Sequence, residues 1–421
     1  MKPILKARIL IVVTLLSFSH ISQAQQYDVL LKGGHLIDPK NSVDEKMDVA
    51  ILDGKIATVA LQIPEDKAKK TIHAQGLYIT PGLIDIHTHV FWGTKPDAYI
   101  SNSYTSLPPD GFTFRAGVTT AVDAGSSGWR NFRVFKEQTI DRSKTRILAF
   151  LNIVGSGMKG GPIEQNLGDM DAKLTSMMVK EYPDLIVGIK LAHYYGPEWD
   201  PLDRSVEAGV LADIPVMVDF GGHTPHLSLE TLLMEKFRPG DIFTHCYANV
   251  RGRTSVVDEN GKVRPYVVAA QKKGIVFDVG HGGGSFLFTQ AIPALAQGFK
   301  PNSISTDLHT GSMNGGMKDM LNIMSKFLNM GMTLNEVIKT ATWTPAMVIK
   351  HQELGHLSVG AVADIAILNL RIGQFGFLDV RNWKMNGTQK LECELTLREG
   401  GVVWDLNGMS MPKWEDGTRN K

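Results

Sequence analysis

The middle of the chain repeats one pattern: a short apolar strand, a polar or glycine-rich exit, and then an amphipathic helix. This alternation is typical of parallel strands, because a parallel pair needs a long crossover connection that is usually helical. The candidate strands are "GLIDIHTH", "VTTAVDAG", "RILAFLNIVG", "LIVGIKLAH", "IPVMVDFGG", "DIFTHCY", "GIVFDVGHG" and "SISTDLHTG". Eight such units predict an α/β fold with a closed (β/α)8 TIM barrel. A doubly wound open sheet is the alternative, but no G-x-G-x-x-G motif opens a helix after the first strand.

Both ends of the chain differ from this middle part. Near the start, "YDVLLKGGHLID", "MDVAILDGKIATVA" and "KKTIHAQGLYIT" are predicted short strands separated by Gly and Asx turns, and "LECELTLREGGVVWDL" near the end is similar. The Asp-Gly pair in "ILDGKI" predicts a tight hairpin. We therefore expect a small split β-sandwich domain, built from residues 25–80 and 358–421 and interrupted by the barrel over residues 81–357.

Residues 1–24 have the layout of a secretory signal peptide. Lys2, Lys6 and Arg8 form a basic start, "ILIVVTLLSF" an apolar centre, and "SQA", ending at Ala24, a small-residue cleavage site. The apolar centre is short for a membrane-spanning helix, so an uncleaved anchor is the weaker alternative. The segment predicts an exported protein, periplasmic or secreted, with no membrane association after cleavage.

Charge and cysteine content narrow the class of partner. The 44 basic and 43 acidic residues give a formal net charge of +1, which gives no support to binding of nucleic acid or of a membrane surface. The expected partner is a small-molecule substrate. Cys246 and Cys393 are the only cysteines, and two free, buried thiols are expected rather than a disulfide scaffold. The sequence does not determine whether the chain forms a homo-oligomer.

Side chains of the kind that bind metals stand at the ends of several predicted strands. They are His87 and His89 after the first strand, Lys190 on the fourth, His245 on the sixth, His281 on the seventh and Asp307 on the eighth. Strand side chains alternate between two faces, so the two histidines of the first strand share one face. The carboxyl ends of all barrel strands meet at one rim, where catalytic groups converge. The set therefore predicts a metal site.

Specific motifs at these positions resemble those of the amidohydrolase superfamily, close to its amidohydrolase/deacetylase and dihydroorotase-like branch. The motifs are "PGLIDIHTH", "VGIKLA", "GDIFTHCY", "FDVGHGGGSF", "STDLHTG" and "ATWTPAMVIKHQELGHLSVGAVADIAIL". The resemblance covers nearly the whole chain after the signal segment. It implies a hydrolase with two divalent metal ions, usually zinc, bridged by a carboxylated lysine.

Ligand chemistry agrees with this implication. Neutral imidazoles and carboxylates suit Zn²⁺, whereas a protonated lysine has no lone pair to donate. Carboxylation by CO₂ would turn Lys190 into an anionic ligand. The fifth-strand ligand is left open, because the family usually has a histidine where this chain has Asp219. His223 is the alternative ligand of the family's chemical type, His226 is a weaker one, and the residue that does not ligate would orient one that does.

The predicted reaction is hydrolysis of an amide or ester bond by a metal-bridging hydroxide. Asp307 would act as base and then acid, and His281 would bond the developing oxyanion or the substrate unless it is only a packed histidine. The resemblance favours an N-acyl amino acid-type substrate, with a cyclic amide or imide as the alternative. A deaminase typically uses one metal and no bridging lysine, so Lys190 argues against it. A non-catalytic scaffold would be expected to have lost ligands.

Overall fold

A computed structural model of the protein describes residues 26–92, 105–222, 225–250 and 252–415. The predicted signal segment, residues 1–24, lies outside the described residues. In chain order the strands are β1 (Tyr27–Asp38), β2 (Val43–Leu52), β3 (Lys55–Ala60), β4 (Ala68–His73), β5 (Tyr78–Pro81), β6 (Leu83–Thr88), β7 (Val118–Gly128), β8 (Arg146–Asn152), β9 (Ile186–Leu191), β10 (Val216–Val218), β11 (Ile242–Phe243), β12 (Val276–Phe277), β13 (Ile365–Leu378), β14 (Lys384–Arg398) and β15 (Gly401–Asp405).

Helices follow most of the central strands. They are α1 (Phe132–Gln138), α2 (Ala172–Glu181), α3 (Asp200–Ala212), α4 (Leu229–Thr231), α5 (Pro265–Lys273), α6 (Phe288–Ala296), α7 (Met320–Asn329), α8 (Leu334–Ala341) and α9 (Trp343–Val348). Helix α4 continues directly into a π-helical turn, Leu232–Lys236. No helix within the described ranges is both long enough and apolar enough to cross a bilayer.

Strands β6 to β12 form one parallel sheet in sequence order. Strand β6 is buried along its whole length, as expected for parallel strands that are covered on both faces. The segment 303–308 closes the ring, because Ser303 pairs with Asp278 beyond β12 and Leu308 pairs with Thr88 of β6. The predicted TIM barrel is therefore confirmed.

The eighth barrel segment differs from the regular strand that the sequence predicts. It makes only isolated bridges. On the side of β12 its carbonyls accept backbone bonds from Val279 and His281, whereas on the side of β6 the amide and the hydroxyl of Thr306 donate to the Asp85 carboxylate. Asp307 then has a left-handed φ of 51°, which ends the extended conformation. This change of direction brings the Asp307 side chain to the rim.

Strands from both chain ends form the second, eight-stranded sheet. Its order is β15-β14-β13-β5-β1-β2-β3, with β4 beside β1, and the antiparallel pair of β5 and β13 joins the two ends of the chain. The predicted split β domain is confirmed, whereas its residue boundaries stay predictions. Asp53 and Gly54 have φ of 48° and 73°, which is the primed turn expected for "ILDGKI". Cys246 and Cys393 are free and buried.

Candidate metal centre

Three side chains at the barrel rim form a compact group of metal-ligand type. His87 lies in β6, His89 follows it, and Asp307 ends the neighbouring eighth segment. Oδ1 of Asp307 lies 3.0 Å from Nε2 of His89 and 3.6 Å from Nε2 of His87. All three side chains are buried. Among the described residues, no other trio of His, Cys, Asp and Glu brings all its ligand atoms within 4.8 Å of one another.

Lys190, His245 and Asp219 lie beside this trio. Nζ of Lys190, in β9, is 3.3 Å from Nε2 of His87. His245 follows β11 and Asp219 follows β10, and Nε2 of His245 is 3.6 Å from Oδ2 of Asp219. The other oxygen of Asp219 accepts a short hydrogen bond from Arg253. The two groups line one cavity of about 110 Å³, so the ends of five barrel segments converge there.

A buried hydrogen-bond relay orients His87. Its Nδ1 lies 2.9 Å from the hydroxyl oxygen of Thr244, and that hydroxyl donates to Oδ2 of Asp278 at 2.7 Å. Because the hydroxyl proton is committed to Asp278, Thr244 accepts the proton of Nδ1. The unprotonated Nε2 of His87 therefore faces the cavity, as a metal ligand must.

His89 and His245 are held in the same way. Nδ1 of His89 lies 3.2 Å from the hydroxyl of Ser126, and Nδ1 of His245 donates to the carbonyl of Gly280 at 2.5 Å. Each imidazole thus uses Nδ1 for a protein contact and presents Nε2 to the cavity. Preset ring orientation and tautomer are features of metal-binding histidines.

Burial sets the protonation states of these groups. Burial, and then the charge of Lys190, lowers the pKa of His87 to about 3, so its ring is neutral near pH 7. Burial also lowers the pKa of Lys190, although Asp219 and Asp307 oppose this shift. For Asp307, burial alone would raise the pKa, but the surrounding histidines, His87 first, lower it well below its ordinary value. A neutral imidazole next to an ionised carboxylate is a donor set that suits a divalent metal ion.

The other predicted site residues have different surroundings. His281 does not line the cavity. Its ring stacks on Phe286 at 4.5 Å, its Nδ1 bonds the carbonyl of Gly282 at 2.9 Å, and its Nε2 lies 2.6 Å from Nζ of Lys326. Both ring nitrogens are therefore already occupied, and its catalytic role stays a prediction. His226 is exposed, and His223 lies outside the described residues.

Several residues that line or support the cavity were not predicted. His309 has Nε2 3.8 Å from Oδ2 of Asp307, and its position two residues after Asp307 in "DLHTG" was the available signal. Thr244 and Asp278 lie in the predicted sixth and seventh strands, but no sequence pattern indicates that the two side chains bond each other. Glu164, which bonds His193 at 2.7 Å, lies in a short 3-10 helix, Gly161–Gln165, 29 residues earlier in the chain, and no sequence signal pointed to it.

Comparison with known proteins agrees with this geometry. A model of the amidohydrolase family matches residues 288–402. A deacetylase of Agrobacterium fabrum is 36% identical over 327 residues, which are 76% of this chain and 77% of that protein. The chain belongs to the amidohydrolase family. A deacetylase of Enterococcus faecalis is 33% identical over 90% of this chain and 99% of its own length.

Solved amidohydrolase structures share the architecture. A structure described as an adenine deaminase superposes with a TM-score of 0.80 at 30% identity, covering 90% of this chain and all of the other. One described as a dihydroorotase gives a TM-score of 0.78 at 31% identity, covering 90% of this chain and 99% of the other. Since these two descriptions name different reactions, the shared fold does not by itself identify the substrate.

Proposed function

We propose that this amidohydrolase is a binuclear metal-dependent hydrolase that cleaves an amide or ester bond, with N-acyl amino acid-type compounds as the substrate class. The observation that carries the proposal is the buried trio of His87, His89 and Asp307 with Lys190 beside it. The names of the Agrobacterium and Enterococcus relatives support deacetylation.

The donor set fits two divalent ions, for which we propose zinc. His87, His89 and Asp307 would hold the first ion, His245 would contribute to the second, and Lys190 would be shared. Metal ions at such a site supply Lewis-acid polarisation of a carbonyl and activation of water. The protein supplies ligand orientation and protonation state.

Lys190 could coordinate both metal ions only after its amine has been converted into a carbamate. An unprotonated amine must attack CO₂, forming the N–C bond and releasing one proton. Burial lowers the pKa of Lys190 and so favours the reactive amine. The product carries one negative charge shared by two oxygens, and both oxygens can ligate a metal ion.

Asp307 is suited to move the proton. Its Oδ1 faces the two histidines of β6, whereas its Oδ2 lies toward His309 at 3.8 Å. Because Oδ2 is not turned toward His87 and His89, it is the oxygen that can accept a proton from the attacking water and return it to the leaving amine or alkoxide.

Hydrolysis of a cyclic amide is the second candidate, and the likeness to a dihydroorotase structure supports it. The test is a screen of the zinc-loaded protein with N-acetyl amino acids, acyl esters, cyclic imides and adenine. We expect turnover of the acyclic amides or esters. Turnover of adenine alone would refute the proposal, and turnover of imides alone would select the second candidate.

Asp307→Asn tests the proton role. We expect a loss of kcat of about 10²–10⁴-fold with bound metal near normal, because the amide retains one oxygen ligand. The matched control is Asp141→Asn, on the exposed side of the fold, which should not change kcat. Full activity of the Asp307 variant would refute this role.

We also propose export through the signal segment 1–24. Mass measurement of the protein from fractionated cells should show a chain that begins at residue 25 outside the cytoplasm. A full-length chain in the cytoplasm would contradict the proposal.

A further inference from the structure

His193 stands at the cavity in an arrangement that resembles the other ligands. It follows β9, two residues beyond Leu191, and lines the cavity. Its Nδ1 bonds the carboxylate of Glu164 at 2.7 Å, and its Nε2 lies 3.7 Å from Oδ2 of Asp219. As at His87, Nδ1 makes a hydrogen bond within the protein, while Nε2 is directed toward the cavity and Asp219.

Glu164 and Gln165 hold this histidine from two sides. Glu164 is 1% exposed, and its other oxygen accepts the amide of Gly160 at 2.5 Å. The side chain of Gln165 bonds the carbonyl of His193 at 2.6 Å and the amide of Tyr195 at 3.1 Å. His193 has a left-handed φ of 57°, which is uncommon for a residue other than glycine, and His245 and Asp307 of the same cavity share this conformation. The loop therefore holds one imidazole in a constrained position.

We propose that His193 is a metal ligand that shares the second ion with Asp219 and His245. Oδ2 of Asp219 lies 3.6 Å from Nε2 of His245 and 3.7 Å from Nε2 of His193. Ligand atoms that share a tetrahedral zinc ion are about 3.4 Å apart, so both separations are close to those required. The inference rests on the proposed binuclear function and assigns the ligands of its second ion.

The surrounding charges support this assignment. Asp219 bonds Arg253 through one oxygen, which leaves the other oxygen to face the two imidazoles. Carboxylation of Lys190 would replace a positive charge with a negative one. The cavity lining would then carry three anionic groups, namely Asp219, Asp307 and the carbamate, and such a lining favours divalent cations.

Glu164 is the positioning residue in this site. A carboxylate that accepts the Nδ1 proton of a histidine fixes its tautomer and raises the basicity of Nε2. The proposed ligands of the second ion, His193, Asp219 and His245, are farther apart than those of the first trio. Their ligand atoms do not all lie within 4.8 Å of one another. Metal binding would therefore draw Nε2 of His193 toward His245 while Nδ1 keeps its bond to Glu164, and the side chain, 47% exposed, has room for this small rotation.

The experiment measures Zn²⁺ by elemental analysis and by competition with a chromophoric chelator. We expect two equivalents in the wild type and one in His193→Gln, with Glu164→Gln weakening the second equivalent about 10–100-fold. His73→Gln is the control, because His73 is an exposed histidine of the β domain, and it should retain both ions. Two ions of unchanged affinity in His193→Gln would overturn the inference, as would loss of one ion in His223→Gln alone. Fewer than two ions in the wild type would refute the binuclear function itself.

A second measurement does not depend on a variant. Diethylpyrocarbonate modifies accessible imidazoles, and peptide mass analysis locates the product. With Zn²⁺ bound, His193 should become protected in the wild type, whereas the exposed His73 of the β domain should react equally with and without the metal. Equal reaction of His193 in both conditions would also overturn the inference.

Discussion

The relay from Asp278 through Thr244 to His87 gives a sharp test of ligand orientation. Thr244→Val keeps the side-chain volume close to the original but removes the hydroxyl, so that both bonds of 2.9 and 2.7 Å are lost. Asp278 still has the hydroxyls of Ser303 and Ser305 at 2.6 and 2.7 Å. His87 has no such substitute, because Asp278 is 3.8 Å from its Nδ1.

The magnitude follows from these contacts. A buried donor without a partner costs about 1–3 kcal/mol, and the lost bond to the Asp278 carboxylate adds about 1.5–3 kcal/mol. The effects overlap because they share one hydroxyl, so we expect the free energy of unfolding of the metal-free protein to fall by about 2–4 kcal/mol. The ring of His87 also loses its tautomer preference, which should weaken metal binding about 10–100-fold.

Urea unfolding of the metal-free protein measures the first effect, and chelator competition measures the second. Thr244→Ser is the matched control, because it retains the hydroxyl and should keep metal affinity within a few-fold of wild type. If Thr244→Val binds Zn²⁺ as tightly as both the wild type and the serine variant, the relay does not orient His87.

Three further predictions address the site and the β domain. Gly280→Ala should lower the free energy of unfolding by about 2–4 kcal/mol and weaken metal binding. The added Cβ would lie 2.4 Å from Oγ1 of Thr244, and Gly280 has a φ of 44° that a residue with a Cβ rarely adopts. Gly284→Ala is the control, because nothing lies within 4 Å of the added Cβ, and it should change neither the stability nor the metal affinity. Removal of metal with a chelator should lower stability by about 2.7 kcal/mol relative to metal at 100 times its Kd, and an unchanged melting temperature would contradict this expectation. Burial alone would raise the pKa of Asp48, but hydrogen bonds from Lys32, Ile63 and Gly33 outweigh it and lower that pKa. Asp48→Asn should therefore reduce stability by about 2–3 kcal/mol at pH 7, and the difference from wild type should shrink as the pH falls below 3.8, the ordinary value for the group; a difference independent of pH in acid unfolding curves would refute this linkage.

Much of the fold could be predicted because it follows from local patterns. The apolar run before His87 and the alternation of strands and helices predict parallel strands with buried faces. The turn at Asp53 and Gly54 adopts the conformation that its two residues favour. The irregular eighth segment could not be predicted, because the amide of Thr306 bonds the side chain of Asp85, 221 residues away in the sequence, and not a backbone carbonyl of β6.

The sequence by itself determined which residue types reach the rim. His87, Lys190 and Asp307 each end or nearly end a predicted strand, and barrel closure brings such ends together whatever their separation in the chain. Only the tertiary structure decided their partners: Thr244 beside His87, Arg253 beside Asp219, and Glu164 beside His193. These contacts join different loops and strands over distances of a few ångströms. Such distances depend on how the loops pack and not on any local preference of the chain.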